Sequence, residues 1–268
     1  MTTFRPIRLV KAHAYGNDFL IVSAAEVAAI DDLPDLARRA CDRHRGIGAD
    51  GLMLVAETSD GARMRLFNTD GSRSELSGNG VRCIGAWLAV ARSLGAGDAL
   101  TIHTEAGPKV LTLLERGYGR STFRAAMGAP EQIREAEFEI GGALVRAAVL
   151  RVGNPQCVVL GPATPERLTR IAAKLAVHPF FPEGTNVELA EIEQPDRVRI
   201  LIWERGVGPT ESSGTGTCAA AVAAAAFGGA AHTVDVVAPG GTQRVEWTEA
   251  GLWLTGSAEI VATVDWWT

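Results

Sequence analysis

The stretch Trp203-Glu204-Arg205-Gly206-Val207-Gly208-Pro209-Thr210-Glu211-Ser212-Ser213-Gly214-Thr215-Gly216-Thr217-Cys218, followed by an alanine run, decides the fold. It reads as a strand, a glycine turn and a helix. Arg199 to Trp203 is a β-rich run, and Ala219 to Ala226 is strongly helix-prone. Between them Ser213-Gly214-Thr215-Gly216 can turn tightly and leave backbone N–H groups at the helix start unpaired. Those donors, with the positive end of the helix dipole, suit an anion.

A second copy lies upstream. Arg65 to Gly71 leads into Ser77-Gly78-Asn79-Gly80-Val81-Arg82-Cys83 and then into the apolar helix Ile84 to Ala91. Ser77 and Ser213 are 136 positions apart (213 − 77), as are Asn68 and Glu204 (204 − 68) and Asp50 and Asn186 (186 − 50). Gly16-Asn17 and Gly153-Asn154 differ by 137 (154 − 17). Four landmarks at a nearly constant offset mean two copies of one half, with a site built twice.

Composition narrows the classes. A chain of 268 residues, 47% hydrophobic, can bury a substantial core as one large domain or two moderate ones, and the repeat favours two. A net charge of −5, a pI near 5.6 and the lack of a basic stripe argue against a nucleic-acid partner. No apolar run approaches a membrane span, and Met1 to Val10 is too short and polar for a signal peptide, so a cytoplasmic protein is expected. The cysteines, Cys41, Cys83, Cys157 and Cys218, form no Cys-x-x-Cys pair, which leaves buried free thiols and no zinc.

In chain order, Ile7 to Lys11 is a strand, His13 to Asp18 a loop and Phe19 to Val22 a strand. A helix capped by Asp31 or Asp32 carries Leu33, Leu36, Ala37 and Ala40 on one face. Leu52 to Ala56 pairs with Gly61 to Phe67. The hairpin around Glu105 to Pro108 and short strands to Val152 follow, the copies joining near Gly128-Ala129-Pro130. The second half has a strand at Cys157 to Leu160, a helix at Pro165 to Leu175 and a hairpin from Val234 to Trp247. Two last strands, Leu252 to Thr255 and Ile260 to Val264, finish it.

Eight motifs, in order, carry a resemblance over nearly the whole chain. They are Gly16 to Phe19, Asp42 to Gly51, Phe67 to Ser72, Ser77 to Cys83, Gly153 to Pro155, Thr185 to Val187 with Glu204 to Gly208, and Gly214 to Gly216. Together they resemble the diaminopimelate epimerases, a family of amino-acid epimerases that use no pyridoxal phosphate. The resemblance implies an α/β (α+β) fold of two pseudo-symmetric domains, each a curved, mostly antiparallel sheet around a central helix. It implies residues 1–128 with a returning 255–268 strand as one domain, 129–254 as the other, and an active site in the cleft between them. It implies no cofactor and no metal, a small-molecule amino-acid substrate, no membrane or nucleic-acid partner, and allows a homodimer.

The family inverts an α-carbon with two facing thiols at the two helix N-termini, one a thiolate base and the other an acid. Those two positions are Ser77 and Ser213 here, and the family's histidine after Gly-Asn-Pro is Gln156. Cys83 and Cys218 lie six (83 − 77) and five (218 − 213) residues too late to substitute. A serine is a far weaker acid than a thiol of pKa about 8.5 and is usually activated by a neighbouring base, which Gln156 cannot be. The substrate-holding positions are all present. Asn17, Asn68, Asn186, Glu204 and Arg205 match contacts to the distal amino-acid end, and Gly78, Asn79, Asn154, Gly214 and Thr215 match contacts to the reacting end.

Plainer readings stand beside these. Asn17, Asn154 and Asn186 could form turns, Glu204 and Arg205 a surface ion pair, and Ser77 and Ser213 helix caps. Three functions follow: stereoinversion at the α-carbon, most directly of LL-/meso-diaminopimelate in lysine biosynthesis; a related isomerase or dehydratase with altered chemistry; or an amino-acid-binding form without turnover.

Overall fold

A computed structural model describes residues 6–75 and 77–267. Met1–Arg5, on which half of the leader-peptide reading and the start of the first expected domain fall, lie outside the described residues, as do Leu76 and Thr268. Contacts divide the chain into two units, residues 1–125 with 257–268 and residues 126–256. Among the described residues no helix is long and apolar enough to cross a membrane.

The first unit runs β1 (Ile7–Ala14), β2 (Asn17–Ser23), α1 (Leu33–Cys41), β3 (Gly51–Thr58), β4 (Gly61–Asn68), β5 (Arg73–Ser74), α2 (Gly78–Ala91), β6 (Ala99–Thr104), β7 (Gly107–Gly117) and most of β8 (Arg120–Gly128). The second runs β9 (Glu131–Ile140), β10 (Ala143–Val152), β11 (Asn154–Leu160), α3 (Pro165–Leu175), β12 (Asn186–Gln194), β13 (Arg197–Glu204), β14 (Gly208–Thr210), α4 (Gly214–Gly228), β15 (Thr233–Ala238) and β16 (Gly241–Thr248). The last strand, β17 (Gly251–Trp266), pairs with β16 through its first residues and with β1 through Glu259 to Trp266. The two short strands read at the chain end are therefore the ends of one long strand.

The repeat is visible in the pairing. β2 runs parallel to β3, with Phe19 opposite Gly51, and β11 runs parallel to β12, with Gln156 opposite Asn186. β3–β4 and β12–β13 are antiparallel, while β4–β6 and β13–β15 are parallel. In each unit the central parallel pair, β2–β3 or β11–β12, is largely apolar on both faces because each face carries a helix. Phe19, Ile21, Met53 and Val55 pack towards α2, whereas Leu20, Val22, Leu52 and Leu54 pack towards α1. Val158, Ala190 and Ile200 pack towards α4, whereas Val159, Leu189 and Leu201 pack towards α3.

The helices divide by composition. α1 and α3 put Leu36 and Ala37, and Leu168 and Ile171, into the core and keep their arginines outside. Asp32 caps α1, its carboxylate accepting from the Asp35 N–H at 2.8 Å. α2 and α4 are buried nearly all round, and the run Ala219 to Ala224 lets strands approach α4 closely.

The residues read as a loop at His13 to Asp18 instead make a two-residue hairpin, with Ala14 paired to Asn17. Tyr15 and Gly16 both have positive φ, 56° and 87°, the hand that suits the strand twist. Tyr15, without glycine's freedom, is held there by tertiary contacts: its hydroxyl accepts from the Ser257 N–H at 2.9 Å, and the Arg82 guanidinium lies 5.8 Å from its ring centre.

Candidate active site

In the first unit the chain enters α2 from an extended Ser77, whose Oγ accepts from the Gly80 N–H at 3.0 Å. Ser77 is thus an N-cap, and no acidic residue occupies the first turn of the helix. Gly80 is required by packing, since a methyl there would stand 2.8 Å from Met53 Sδ. Asn79 is buried against Arg82, which donates to its Oδ1, and Asn79 Nδ2 donates to Asn17 Oδ1 at 3.2 Å.

Asn17 Nδ2 in turn donates to Asp50 Oδ2 at 2.8 Å. Behind Asp50 stands a charged lattice: Arg43 pairs with Asp50 at 2.8 Å and with Asp18 at 2.7 Å, and Lys11 pairs with Asp18 at 2.9 Å. Burial pushes the Asp18 carboxyl up, but Arg43 and Lys11 outweigh it and hold it below the usual carboxylate range. Asn68, at the end of β4, is tied to its own turn, donating to Ser72 Oγ at 3.0 Å.

The second unit repeats the entry. Ser213 caps α4, its Oγ accepting from the Gly216 N–H at 3.2 Å, with Thr215 Oγ1 at 3.5 Å. Ser213 and Gly214 are buried, and Gly78 is exposed. Asn186 Oδ1 accepts from the Arg205 N–H at 2.9 Å and so fixes the strand end that carries Glu204. Asn154 Oδ1 accepts from Gln156 Nε2 at 2.6 Å. Arg205 turns away and donates to the Glu183 carbonyl at 2.6 Å, lining a groove of about 630 Å³ with Phe181, Trp203 and Val207.

Glu204 and Arg205 form no ion pair with each other among the described residues. Glu204 lies near Ser213 instead, and burial raises its carboxyl more than the Ser213 hydroxyl lowers it. Glu204, which the sequence matches to a contact with the distal end, thus also neighbours residue 213. A second acid, Glu188, was missed altogether. It is fully buried among apolar residues, and only an acidic residue on the strand face that otherwise carries Ala190 and Ile192 could have signalled it.

The four thiols are all buried and unbridged. Burial pushes Cys41 and Cys83 up to about 12, and pushes Cys157 up too, so none of these three is a nucleophile at neutral pH. Among the described residues no group of three or more His, Cys, Asp or Glu side chains is placed to hold a metal ion.

The fold, with its repeated sheet and two capped central helices, is shared with solved proteins described as an epimerase and as a phenazine biosynthesis protein. The chain superposes on a protein described as a predicted epimerase from Pseudomonas aeruginosa with TM-score 0.73, at 16% identity over 98% of this chain and 99% of that one. It superposes on a phenazine biosynthesis protein of the PhzF family from Bacillus anthracis with TM-score 0.71, at 18% identity over 97% and 98%. Sequence narrows this class: a model of the diaminopimelate epimerase family matches residues 9–133 and 148–261. The diaminopimelate epimerase of Desulforudis audaxviator is 39% identical over 97% of this chain and 99% of its own. The chain belongs to the diaminopimelate epimerase family, and it is an isomerase of the amino-acid epimerase type.

Proposed function

We propose that this protein interconverts LL- and meso-diaminopimelate without a cofactor, with Ser77 and Ser213 in the two proton-transfer positions. Asn17, Asn68, Asn186 and Arg205 would hold the distal amino-acid end. Gly78, Asn79, Asn154, Gly214 and Thr215 would hold the reacting end, where helix N–H donors stabilise the charge that builds on the α-carboxylate. The observation that supports this reading is Glu204 beside Ser213, which caps the second of two matching helix entries. A carboxylate there can take the hydroxyl proton as the hydroxyl takes the substrate's, which makes a serine workable as a base.

The reading includes domains of residues 1–128 with 255–268 and of 129–254, a cytoplasmic location, and a homodimer that sedimentation would check. The test of function is the α-proton of diaminopimelate followed by NMR in deuterium oxide. Exchange with formation of the other epimer is expected, and a large gain in rate from the S77C/S213C double change but from neither single one. No exchange by the protein or by the double variant sinks the proposal.

The inequality of the two caps favours a second reading. Ser213 has a carboxyl partner, whereas the bond recorded at Ser77 Oγ comes from the Gly80 N–H. One-sided proton abstraction would give exchange without inversion, or loss of water from a hydroxylated substrate. The same NMR experiment separates these outcomes by product.

A further inference from the structure

The helix-facing side of β11, β12 and β13 is apolar from Val198 and Ile200 to Val158 and Ile202, with one interruption. Glu188 sits in that row, opposite Val158 on one side and Ile202 on the other. It is 0% exposed, and both carboxyl oxygens lack a hydrogen-bond partner. Its Oε1 lies against the first turn of α4, where a methyl on Gly216 would overlap it. Gly216 is also the residue whose N–H reaches Ser213 Oγ. Glu204 lies on the same sheet face, opposite Asn186 and so diagonal to Glu188.

The groups around Glu188 offer no cation. On β11 stand the uncharged Gln156 and the Cys157 thiol, which Glu188 itself helps to push up. On β13 stands Glu204, and on α4 stand Ser213, Thr217 and Cys218. The charge that acts on Glu188 is that of Glu204. Two carboxyls sharing a dry site cannot both ionise cheaply.

We propose that Glu188 is a positioning residue for position 213: with Glu204 it forms a carboxyl pair that keeps one proton, and loss of that proton disables this half of the site. The inference rests on the assignment of position 213 to proton transfer. Glu204 is the exchanging member, on the Ser213 side of the pair. Glu188 is the buried member, whose neutrality leaves Glu204 free to cycle. Once Glu188 ionises as well, two negative charges stand behind the place where an anion must form.

Two measurements that need no turnover test this. Carbon NMR of the glutamate carboxyls across pH, on the full chain, should show one signal titrating well above the ordinary range, absent in E188Q. In E204Q its midpoint should fall by about one pH unit, as expected for coupled groups. The thiol introduced by S213C should be alkylated by iodoacetamide with a midpoint about one unit lower when E188Q is added. If E188Q does not fold, the wild type and E204Q decide alone. A Glu188 signal indifferent to E204Q overturns the proposal, as does an alkylation midpoint indifferent to E188Q. A chain that shows both shifts yet never exchanges the α-proton of diaminopimelate overturns the proposed function instead.

Discussion

Asn79 on α2 donates to Asn17 on β2 at 3.2 Å, so a residue expected at the reacting end and one expected at the distal end are joined in a single amide pair. The pair continues to Asp50 on one side and Arg82 on the other. Asn17→Leu would remove one of the donors to Asp50 Oδ2, which keeps the Asp18 N–H, and the acceptor of the Asn79 amide. The expected cost is about 1–3 kcal/mol in urea unfolding, together with weaker diaminopimelate binding. Unchanged stability would mean that water replaces the amide without loss.

Two carboxyls give pH dependences of opposite sign. Asp18 is held below its ordinary 3.8, so its contribution is complete above that value and is lost as pH falls through the lowered one. Asp18→Asn should destabilise at neutral pH by about 1–2 kcal/mol, less than for a fully buried pair because Arg43 is half exposed. It should also flatten the acid limb of stability. Glu188 is raised well above 4.5, so stability falls from there upward as pH climbs towards its folded value. Glu188→Gln should stabilise increasingly with pH over that window. Denaturant midpoints across pH check both signs.

Glycines at the two helix entries differ. Gly216→Ala would drive a methyl into Glu188 Oε1 and to 3.3 Å from Ser213 Cβ, so a loss of about 1–3 kcal/mol is expected. Gly78→Ala meets nothing within 4 Å and should be neutral or gain up to about 1 kcal/mol. Thermal melts of the two variants should separate clearly; equal effects would contradict the close approach of Glu188 to α4.

Thiol chemistry distinguishes the native cysteines from the family's positions. In the folded protein Cys41, Cys83 and Cys157 should resist a colorimetric disulfide reagent at neutral pH and react fully after denaturation. S77C should add one fast-reacting thiol, because its half-buried side chain would stand at a helix N-terminus that favours the thiolate, whereas the S213C thiol, buried near Glu204, should react more slowly. Equal reaction rates at the two positions would contradict this difference between the caps.

Much of the design is legible without coordinates because it is local or repetitive. The 136-residue offset reappears as matched strand pairings, and the serines before Gly78 and Gly214 cap helices as serines commonly do. The helix at Pro165–Leu175 begins and ends where its periodicity says. Tyr15 is the counter-example, since nothing in its identity announces a positive φ. Ser257, 242 positions away, and Arg82 hold it there.

The chain by itself determines the repeat, the two helix entries with a serine at each, and the family, because each is a matter of residue type at a short or constant spacing. Only the tertiary structure decides that Glu204 serves Ser213, that Glu188 lies dry beneath Gly216, and that Arg205 turns to Glu183. Those contacts depend on which strand faces which, and in what register. Strand register is set by the packing of whole faces, which no local pattern of residues encodes.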